Sequence, residues 1–423
     1  MRKNVMLLTL SLLVLGVSAV AALIPETAEA RERMLDFIMA PLRPGQEVHR
    51  EIIRQRTGDL VFFRTYEQTG SRYYAFMLMD EDGEMDLAAA GTWIIRRRIS
   101  DGAFEQIKVF LQNDELSFLR LFPRGRTVRM DVEIAGVPLY NGVTVPMTME
   151  RALTTSIGMI RESTAGVVDW SLLDPDPFDP GYGRVLSVVE RLRSQIPNLR
   201  DADDGAMDQD GNLVFIETLT RQDPPGGFNC SGFAKWVIDG FYRPRTGRLL
   251  AVEDLKQKHL DYRGTSWTAS FEDRRDPFFG LDWTRNLALH VFARDRNTEP
   301  ERLDPGSRDV RDISSADYIP HVGYRVRDLR HVLYRLALAE PGNIYLGSVN
   351  ISFGEDVVLR QHTHVVVLMP WFDEKGRFNV AVMERNNETS MESLELRFAG
   401  EYIHLVRVAA NREFDPPPMP GPD

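Results

Sequence analysis

The chain has 423 residues, with 51 basic and 62 acidic side chains, a formal charge of −11 and one cysteine. At roughly 100–200 residues per domain, this length predicts two or three domains, each with its own core. A charged fraction of 27% fits neither a polytopic membrane protein nor a wholly disordered chain. The acidic balance argues against nucleic acid as a partner, because binding to phosphates requires a basic face.

Residues 1–30 have the layout of a secretory signal peptide. Arg2 and Lys3 precede a long apolar run, and two small-residue patterns, Ala19-Val20-Ala21 and Ala28-Glu29-Ala30, resemble cleavage sites. The alternative is an uncleaved membrane anchor, since about 19 apolar residues can just cross a bilayer. Both interpretations predict that the body of the protein is exported, to the periplasm or the cell surface. Its only membrane contact would be an uncleaved N-terminal segment.

Residues 31–165 predict an antiparallel, β-rich domain of unknown role. Short β-branched and aromatic runs, such as Tyr73 to Met79 and Val128 to Ile134, are separated by turn sequences such as Asp101-Gly102. This part contains no cysteine, a single histidine, and no spacing typical of a metal site or a catalytic triad. A binding or scaffolding role is therefore the default interpretation.

Residues 166–183 predict a linker between two domains. They include the sequence Asp-Pro-Asp-Pro-Phe-Asp-Pro-Gly, whose prolines prevent a continuous helix or a central strand. The second domain would then span residues 184–412. Within it, residues 242–311 are rich in Arg, Asp and Pro and predict a polar, partly helical insertion. The proline-rich residues 413–423 predict a disordered tail.

The single cysteine, Cys230, is the first candidate for chemistry. Exported proteins usually pair their cysteines in disulfides, and one cysteine cannot do so within a chain. Gly226-Gly227 predicts a loop before it, while Phe233, Trp236 and Phe241 recur at helical spacing after it. Cys230 would then lie in the first turn of a buried helix, where free N–H groups and the helix dipole favour a thiolate. This placement favours a nucleophile over an inert core cysteine.

A thiolate nucleophile requires an imidazole partner, and His364 is the best of the eight histidines. It begins a run of apolar residues that ends at Met369 and predicts a buried strand. His362 is the reserve candidate, because alternation along a strand would place it on the same face. For His364 the alternative is a structural histidine.

The third candidate is Glu384, on a strand predicted from Phe378 to Asn386. A hairpin centred near Glu374 would place Glu384 opposite His364 on the same face. A carboxylate there would orient the imidazole and stabilise its cation. A register slipped by two residues would give the role to Asn386 instead. A surface charge at a strand end is the alternative interpretation of Glu384.

The segment Asn229-Cys230-Ser231-Gly232 resembles the Asp-Cys-Ser-Gly motif of the NlpC-type cell-wall cysteine peptidases, a papain-like family. Pro341 to Leu346, Thr363 to Leu368, and Phe398-Ala399-Gly400 with the strand after it resemble strands of that family in the same order. The resemblance covers the C-terminal half only. It implies an α+β domain in which the cysteine helix packs on an antiparallel sheet that carries the histidine.

The same resemblance implies a thiol hydrolase that cleaves amide bonds in peptidoglycan stem peptides through an acyl-thioester. The sequence departs from the family at Asn229, which replaces an aspartate, and at Val366, which replaces a glycine. Because Cys230 and His364 are unusually far apart, the insertion between them should loop out over or beside the site. One alternative is a non-catalytic periplasmic or surface binding protein with a degenerate papain-like domain. Another is a related thiol amidase or acyltransferase that acts on lipids.

No cofactor or metal is expected. The segment from Asp208 to Glu217 partly matches a Ca²⁺-binding loop, but its first ligand position is an alanine and a strand follows where a helix should start. A tight hairpin turn is the better interpretation.

Overall fold

The computed structural model describes residues 24–80, 82–173, 175–259, 276–314, 316–353 and 359–420. It is a mixed α+β protein with a large antiparallel sheet in its N-terminal part, followed by helices and a second main sheet. This confirms the coarse fold class. Most of the predicted signal segment, residues 1–23, lies outside the described residues. Within them, no helix is both long and apolar enough to cross a membrane.

The N-terminal sheet is a meander in which each strand pairs antiparallel with the next. Alternation buries one face, as in β7, where Val128, Met130 and Val132 are all buried. Four short helices flank the strands: α1 (Ala28–Arg33), α2 (Leu35–Met39), α3 (Met149–Thr154) and α4 (Ile157–Thr164). The strands are β1 (Arg50–Arg54), β2 (Leu60–Gln68), β3 (Ser71–Leu78), β4 (Trp93–Arg98), β5 (Phe104–Phe110), β6 (Phe118–Arg124), β7 (Thr127–Ile134) and β8 (Val137–Val145).

The start of the described chain belongs to this N-terminal unit. Arg31 is fully buried, with its guanidinium 3.5 Å from the centroid of the Trp93 ring and hydrogen-bonded to Glu26 at 2.6 Å. Its Nη1 also donates to the backbone oxygen of Leu153 at 2.5 Å. The cleavage-like pattern Ala28-Glu29-Ala30 lies within α1, so a cut after it would separate Glu26 from Arg31.

The segment between the two sheets contains a 3₁₀ turn (Trp170–Leu173), helix α5 (Pro180–Gln195) and a second 3₁₀ turn (Ile196–Asn198). The Asp179 side chain caps α5 by accepting from the Gly181 N–H at 2.7 Å, and Pro180 occupies the first helical position. Strands β9 (Ala206–Met207) and β10 (Leu213–Val214) then form a hairpin. The Asp208 carboxylate accepts N–H bonds within that turn, which confirms the hairpin prediction.

The second main sheet has the strand order β11-β16-β12-β13-β14-β15 among the described residues. These strands are β11 (Tyr324–Arg325), β12 (Asn343–Phe353), β13 (Leu359–Phe372), β14 (Phe378–Glu384), β15 (Asn387–Thr389) and β16 (Tyr402–Ala409). The later helices are α6 (Cys230–Thr246), α7 (Val252–Leu255), α8 (Phe279–Asp295), α9 (Leu329–Ala339) and α10 (Met391–Arg397), with 3₁₀ turns at Pro300–Arg302 and Val326–Asp328. Helices α6 and α8 pack against each other and against β13.

The prediction of a polar insertion at residues 242–311 is wrong for α8, which is a central helix. Leu281, Trp283 and Leu287 are fully buried, and α8 contacts α6 and the strands β12, β13 and β16. One of its buried polar residues is paired with an opposite charge, since Arg285 forms an ion pair with Asp309 at 2.6 Å. Paired charges of this kind allow a helix with a polar composition to lie inside a domain. Residues 260–275 of the predicted insertion lie outside the described residues.

The prediction of a disordered tail at residues 413–423 is also wrong as far as residue 420. Trp236 donates to the backbone oxygen of Pro417 at 2.7 Å, and the Phe414 ring lies 4.6 Å from that of Phe241. A Cβ on Gly240 would lie 3.0 Å from Pro416, so the glycine allows this close approach to α6. The tail prolines need no N–H partner and contribute apolar surface, with Pro416 and Pro417 both buried.

Candidate active site

Cys230 is the first residue of α6, as the sequence predicted. The Asn229 side chain caps the helix by accepting from the Gly232 N–H at 2.8 Å. Asparagine caps a helix as well as aspartate does, and it adds no negative charge beside the sulfur. A Cβ on Gly232 would lie 1.8 Å from the backbone oxygen of Gly205, so only glycine fits there. The Trp283 indole of α8 donates to the Ser231 backbone oxygen at 3.0 Å and anchors the first turn.

The thiol of Cys230 is half-buried and lines a cleft of about 780 Å³. Burial raises its pKa, but the hydrogen bond and the positive charge of His364 outweigh burial, and the pKa lies below its ordinary value. The backbone N–H of Val365 also hydrogen-bonds to the sulfur. A thiol with these neighbours is both accessible and activated.

His364 lies in β13 and contacts the two other candidate residues. Its Nε2 donates to Oε2 of Glu384 at 2.6 Å, and its side chain also hydrogen-bonds to Cys230. Because Nε2 is used by Glu384, Nδ1 is the nitrogen left for the sulfur. Burial lowers the pKa of the imidazole, but the bonds to Cys230 and Glu384 outweigh burial and raise it to about 9. The Phe398 ring stacks on the imidazole at 5.9 Å between centroids.

Glu384 contacts His364 even though the predicted hairpin register is wrong. The observed pairs run from Phe372↔Phe378 to Val367↔Met383, so the turn is centred at Lys375 rather than Glu374. Continued to position 364, this register would place residue 386 opposite His364. Glu384 instead reaches the imidazole diagonally, which is within reach of a long side chain on a neighbouring strand.

Asn386, the alternative third residue, is not on β14. That strand ends at Glu384, and Arg385 and Asn386 form a two-residue turn to β15, with Glu384 paired to Asn387. Arg385 adopts a φ of 52°, in the left-handed region that tight hairpin turns use. The Asn386 amide lines the cleft, but among the described residues it has no hydrogen-bond partner. The prediction that this strand continues to Asn386 is therefore wrong.

His362, the reserve candidate, does not share the face of His364. Val349 pairs with His364 and Asn350 pairs with His362, so Thr363 is an extra residue in a β-bulge that breaks the alternation. The Nε2 of His362 donates to the backbone oxygen of His321 at 2.9 Å, which leaves Nδ1 to accept from the Ser348 hydroxyl at 2.9 Å.

Burial lowers the pKa of His362 to about 3. A neutral ring with both nitrogens occupied cannot act as the base for Cys230.

Glu384 is held by a residue that the sequence analysis missed. Arg397, the last residue of α10, donates from Nη2 to Oε1 of Glu384. Burial raises the pKa of Glu384, but the hydrogen bonds from His364 and Arg397 outweigh burial and lower it. No local sequence signal pairs two residues that lie thirteen positions apart on a strand and a helix.

The first turn of α6 supplies backbone donors beside the sulfur. The first intrahelical bond runs from the Phe233 N–H to the Asn229 oxygen, so the N–H groups of Cys230 and Ser231 precede it. Within the described ranges neither of these N–H groups has an acceptor. They are positioned to bind an oxyanion that forms next to the sulfur.

The cleft walls carry charges of both signs. Asp201 and Asp203, on the loop before β9, line the cleft together with Arg385 and Arg397. Arg385 reaches across to Asp201 at 3.1 Å, while Asp203 is exposed. Among the described residues, no group of three or more His, Cys, Asp or Glu side chains could hold a metal ion.

Comparison with known proteins bears on the N-terminal part alone. A family model described as a domain of unknown function (DUF8515) matches residues 21–172. The match covers the first sheet with helices α1 to α4 and ends before α5. No curated protein matched the chain, and no solved structure did. Cys230, His364 and Glu384 all lie outside the matched residues.

Proposed function

We propose that this protein is an exported thiol hydrolase of papain-like architecture that cleaves amide bonds through Cys230, His364 and Glu384. One observation carries the proposal: an accessible thiol at a helix N-terminus hydrogen-bonds to an imidazole whose far nitrogen is held by a carboxylate. A nucleophile, a base and an orienting group in this sequence are the requirements for covalent acyl transfer.

The electrostatics of the site favour a thiolate–imidazolium pair. The pKa of Cys230 is lowered while that of His364 is raised to about 9, so both shifts favour the proton on the imidazole over the proton on the sulfur. Glu384, which stays ionised, stabilises that cation through Nε2.

In the acylation step, the Cys230 sulfur attacks the carbonyl carbon of the substrate, and the carbonyl π electrons move to the oxygen. The N–H groups of Cys230 and Ser231 donate to this oxyanion. When the carbon–nitrogen bond breaks, His364 transfers its Nδ1 proton to the leaving amine. An acyl-thioester on Cys230 and a neutral imidazole remain.

In the deacylation step, the neutral imidazole of His364 accepts a proton from water, and the hydroxide formed attacks the thioester carbon. The carbon–sulfur bond breaks, and Cys230 leaves as a thiolate beside the new imidazolium. The carboxylic acid product then loses its proton to bulk water and departs as a carboxylate. The site therefore returns to its starting charge without a cofactor in either step.

Peptidoglycan stem peptides are the substrate class that the NlpC-type resemblance implies. Two features support this choice. The N-terminal layout is that of an exported bacterial protein, and the cleft carries an exposed carboxylate, Asp203, together with guanidinium groups. Stem peptides carry both free carboxylates and free amines, so they offer a partner for each sign of charge.

The test compares the wild-type protein with Cys230→Ser on purified peptidoglycan, on synthetic stem peptides and on acyl-lipid vesicles, with products identified by mass. The expected result is new amine and carboxylate ends in stem peptides with the wild type alone. Hydrolysis of the lipids alone would show that the substrates are acyl lipids rather than stem peptides, and the proposed thiol mechanism would stand. No turnover, together with iodoacetamide alkylation no faster than that of a free thiol, would overturn the hydrolase and favour a binding protein.

A further inference from the structure

The carboxylate of Glu384 has its two oxygens bound by two different groups. Oε2 accepts from His364 at 2.6 Å, and Oε1 accepts from Nη2 of Arg397. The Glu384 side chain is 9% exposed, whereas that of Arg397 is 42% exposed. The carboxylate thus lies between the imidazole on its inner side and a guanidinium on its outer side.

Arg397 is itself fixed at the end of α10. Ser390 caps the start of this helix by accepting from the Ser393 N–H at 3.1 Å, and Met391 and Leu394 are buried beneath it. The Nε of Arg397 donates to the Ser393 backbone oxygen at 3.3 Å. A cation in the last turn of a helix is also favoured by the helix dipole. The guanidinium is therefore held in place by contacts other than the one with Glu384.

The residue after Arg397 contacts the same imidazole. The Phe398 ring stacks on His364 with an angle of 28° between the planes, and the Arg397 guanidinium lies 5.3 Å from the Phe398 ring centroid. The end of α10 therefore restrains His364 in two ways, through its carboxylate partner and through the face of its ring.

We propose that Arg397 is a positioning residue that fixes the Glu384 carboxylate for its hydrogen bond to His364. The proposal rests on the proposed function, because it assigns Arg397 a part in the same site. Glu384 extends diagonally to reach His364 and has three rotatable side-chain bonds, so its geometry depends on an anchor at the other oxygen. Arg397 does not contact the sulfur or the imidazole nitrogens and acts through Glu384.

The direction of the His364 pKa change separates positioning from a plain charge effect. Arg397 and protonated His364 are both cations, so removing the charge alone would make His364 easier to protonate and raise its pKa. Loss of the Glu384 hydrogen bond would instead lower the pKa of His364. Positioning therefore requires the pKa of His364 to fall in Arg397→Gln, by about 1 unit.

The experiment measures three quantities in the wild type, Arg397→Gln and Arg397→Lys: the His364 pKa by NMR titration, the pH dependence of iodoacetamide alkylation, and kcat and KM on a cleaved stem peptide. In Arg397→Gln, kcat should fall roughly 10- to 100-fold with little change in KM. Arg397→Lys keeps the charge but not the planar fork, so it should recover activity in part. In the Glu384→Gln background, adding Arg397→Gln should have no further effect.

Arg330→Gln is the matched control. Arg330 lies on α9 and forms an ion pair at 3.1 Å with Glu392 of α10, the helix that also carries Arg397. Neither Arg330 nor Glu392 is among the residues that line the cleft. Its kcat should stay within about twofold of the wild type, since exposed ion pairs contribute little.

A raised KM with unchanged kcat in Arg397→Gln would show that Arg397 binds substrate and would overturn the proposal. A raised or unchanged His364 pKa would also overturn it. If the wild type cleaves no substrate, the proposed function fails, yet the NMR and alkylation measurements still test the role of Arg397.

Discussion

Two histidines two residues apart on β13 lie in regions with opposite properties. Both line the cleft, but it is the His364 side chain that contacts the half-buried thiol, and its pKa is raised to about 9. His362 lies on the other face beyond the bulge at Thr363, and burial lowers its pKa to about 3. The difference shows that the partners and burial of a residue assign its role, rather than its type or its position in a motif.

The region around His362 is a buried polar network in which charges are compensated. Asp309 accepts from Arg285 at 2.6 Å and from Arg311 at 2.9 Å, and it lies 3.4 Å from Nε2 of His404. Burial raises the pKa of Asp309, but these partners lower it well below its usual range. In the cleft, by contrast, the chain of partners ends at a thiol that substrate can reach. The paired charges around Asp309 stabilise the fold, whereas the hydrogen bonds from Glu384 through His364 lead to a nucleophile that a substrate can reach.

Replacement of His364 and of His362 should give the largest difference in activity between two variants. His364→Ala removes the proton donor and the partner of the thiolate, so kcat/KM should fall roughly 10⁴-fold and the pKa of Cys230 should rise. His362→Gln should keep fast alkylation of Cys230 at neutral pH. The measurements are turnover and the pH dependence of iodoacetamide alkylation. Slow alkylation in both variants would mean that the two faces do not differ as described.

Glu384→Gln should lower turnover by about 10²–10⁴-fold, because it keeps the side-chain shape but loses the charge that stabilises the imidazolium. The alkaline limb of the kcat/KM profile, which reports His364 near pH 9, should move to lower pH. Steady-state kinetics between pH 5 and 10 would measure both effects. An unchanged profile would leave at most a Cys–His dyad.

The sequence predicted the cysteine helix, the histidine strand and the contact between His364 and Glu384 from local patterns. It could not predict the register of β13 and β14, because the turn is displaced from Glu374 by only one residue. It also could not predict the bulge at Thr363, which no local residue signals. Alternation rules assume an uninterrupted strand, and one inserted residue reverses every inference beyond it.

Composition misled the sequence analysis at α8. The polar composition of residues 242–311 predicts an insertion outside the core, yet Asp282, Arg285 and Asn286 of this helix are all buried. The partner of Arg285 is Asp309, which lies on a distant segment, and single-sequence patterns do not show such tertiary pairing. The mixed composition of α8 therefore does not indicate that this helix lies at the centre of the domain.

Asp309→Asn should destabilise the network on the His362 side. The substitution leaves the buried Arg285 guanidinium without its counter-ion, so the free energy of unfolding should fall by about 3–5 kcal/mol. Asp373→Asn is the matched control, since Asp373 pairs with the exposed Arg377 at 2.7 Å and its loss should cost about 1 kcal/mol or less. Urea denaturation would measure both. Equal losses would show that the buried pair contributes no more than the exposed one.

Acid should destabilise the protein partly through His362. Its folded pKa lies below its unfolded value, so protonation favours the unfolded chain as pH falls from about 6.5 toward 3. In His362→Gln the drop in melting temperature between pH 7 and pH 4 should be smaller than in the wild type. His364 acts with the opposite sign, since its stabilising contribution is present below its unfolded pKa and is lost as pH rises through about 9. Calorimetry at several pH values would separate the two, and equal acid sensitivity in His362→Gln would contradict the assignment.

Asn386→Ala should have the smallest effect on turnover and stability. Asn386 lies in the turn after β14, and its amide contacts neither His364 nor, among the described residues, any other hydrogen-bond partner. Removing an unsatisfied buried amide costs no protein hydrogen bond, so the free energy of unfolding should stay the same or rise by up to about 1 kcal/mol. Turnover should stay within about threefold of the wild type, because a group that loses no contact with the imidazole does not change the proton transfers. A loss of activity in Asn386→Ala as large as that in Glu384→Gln would show that the turn closes onto His364 during catalysis and that the third role is shared.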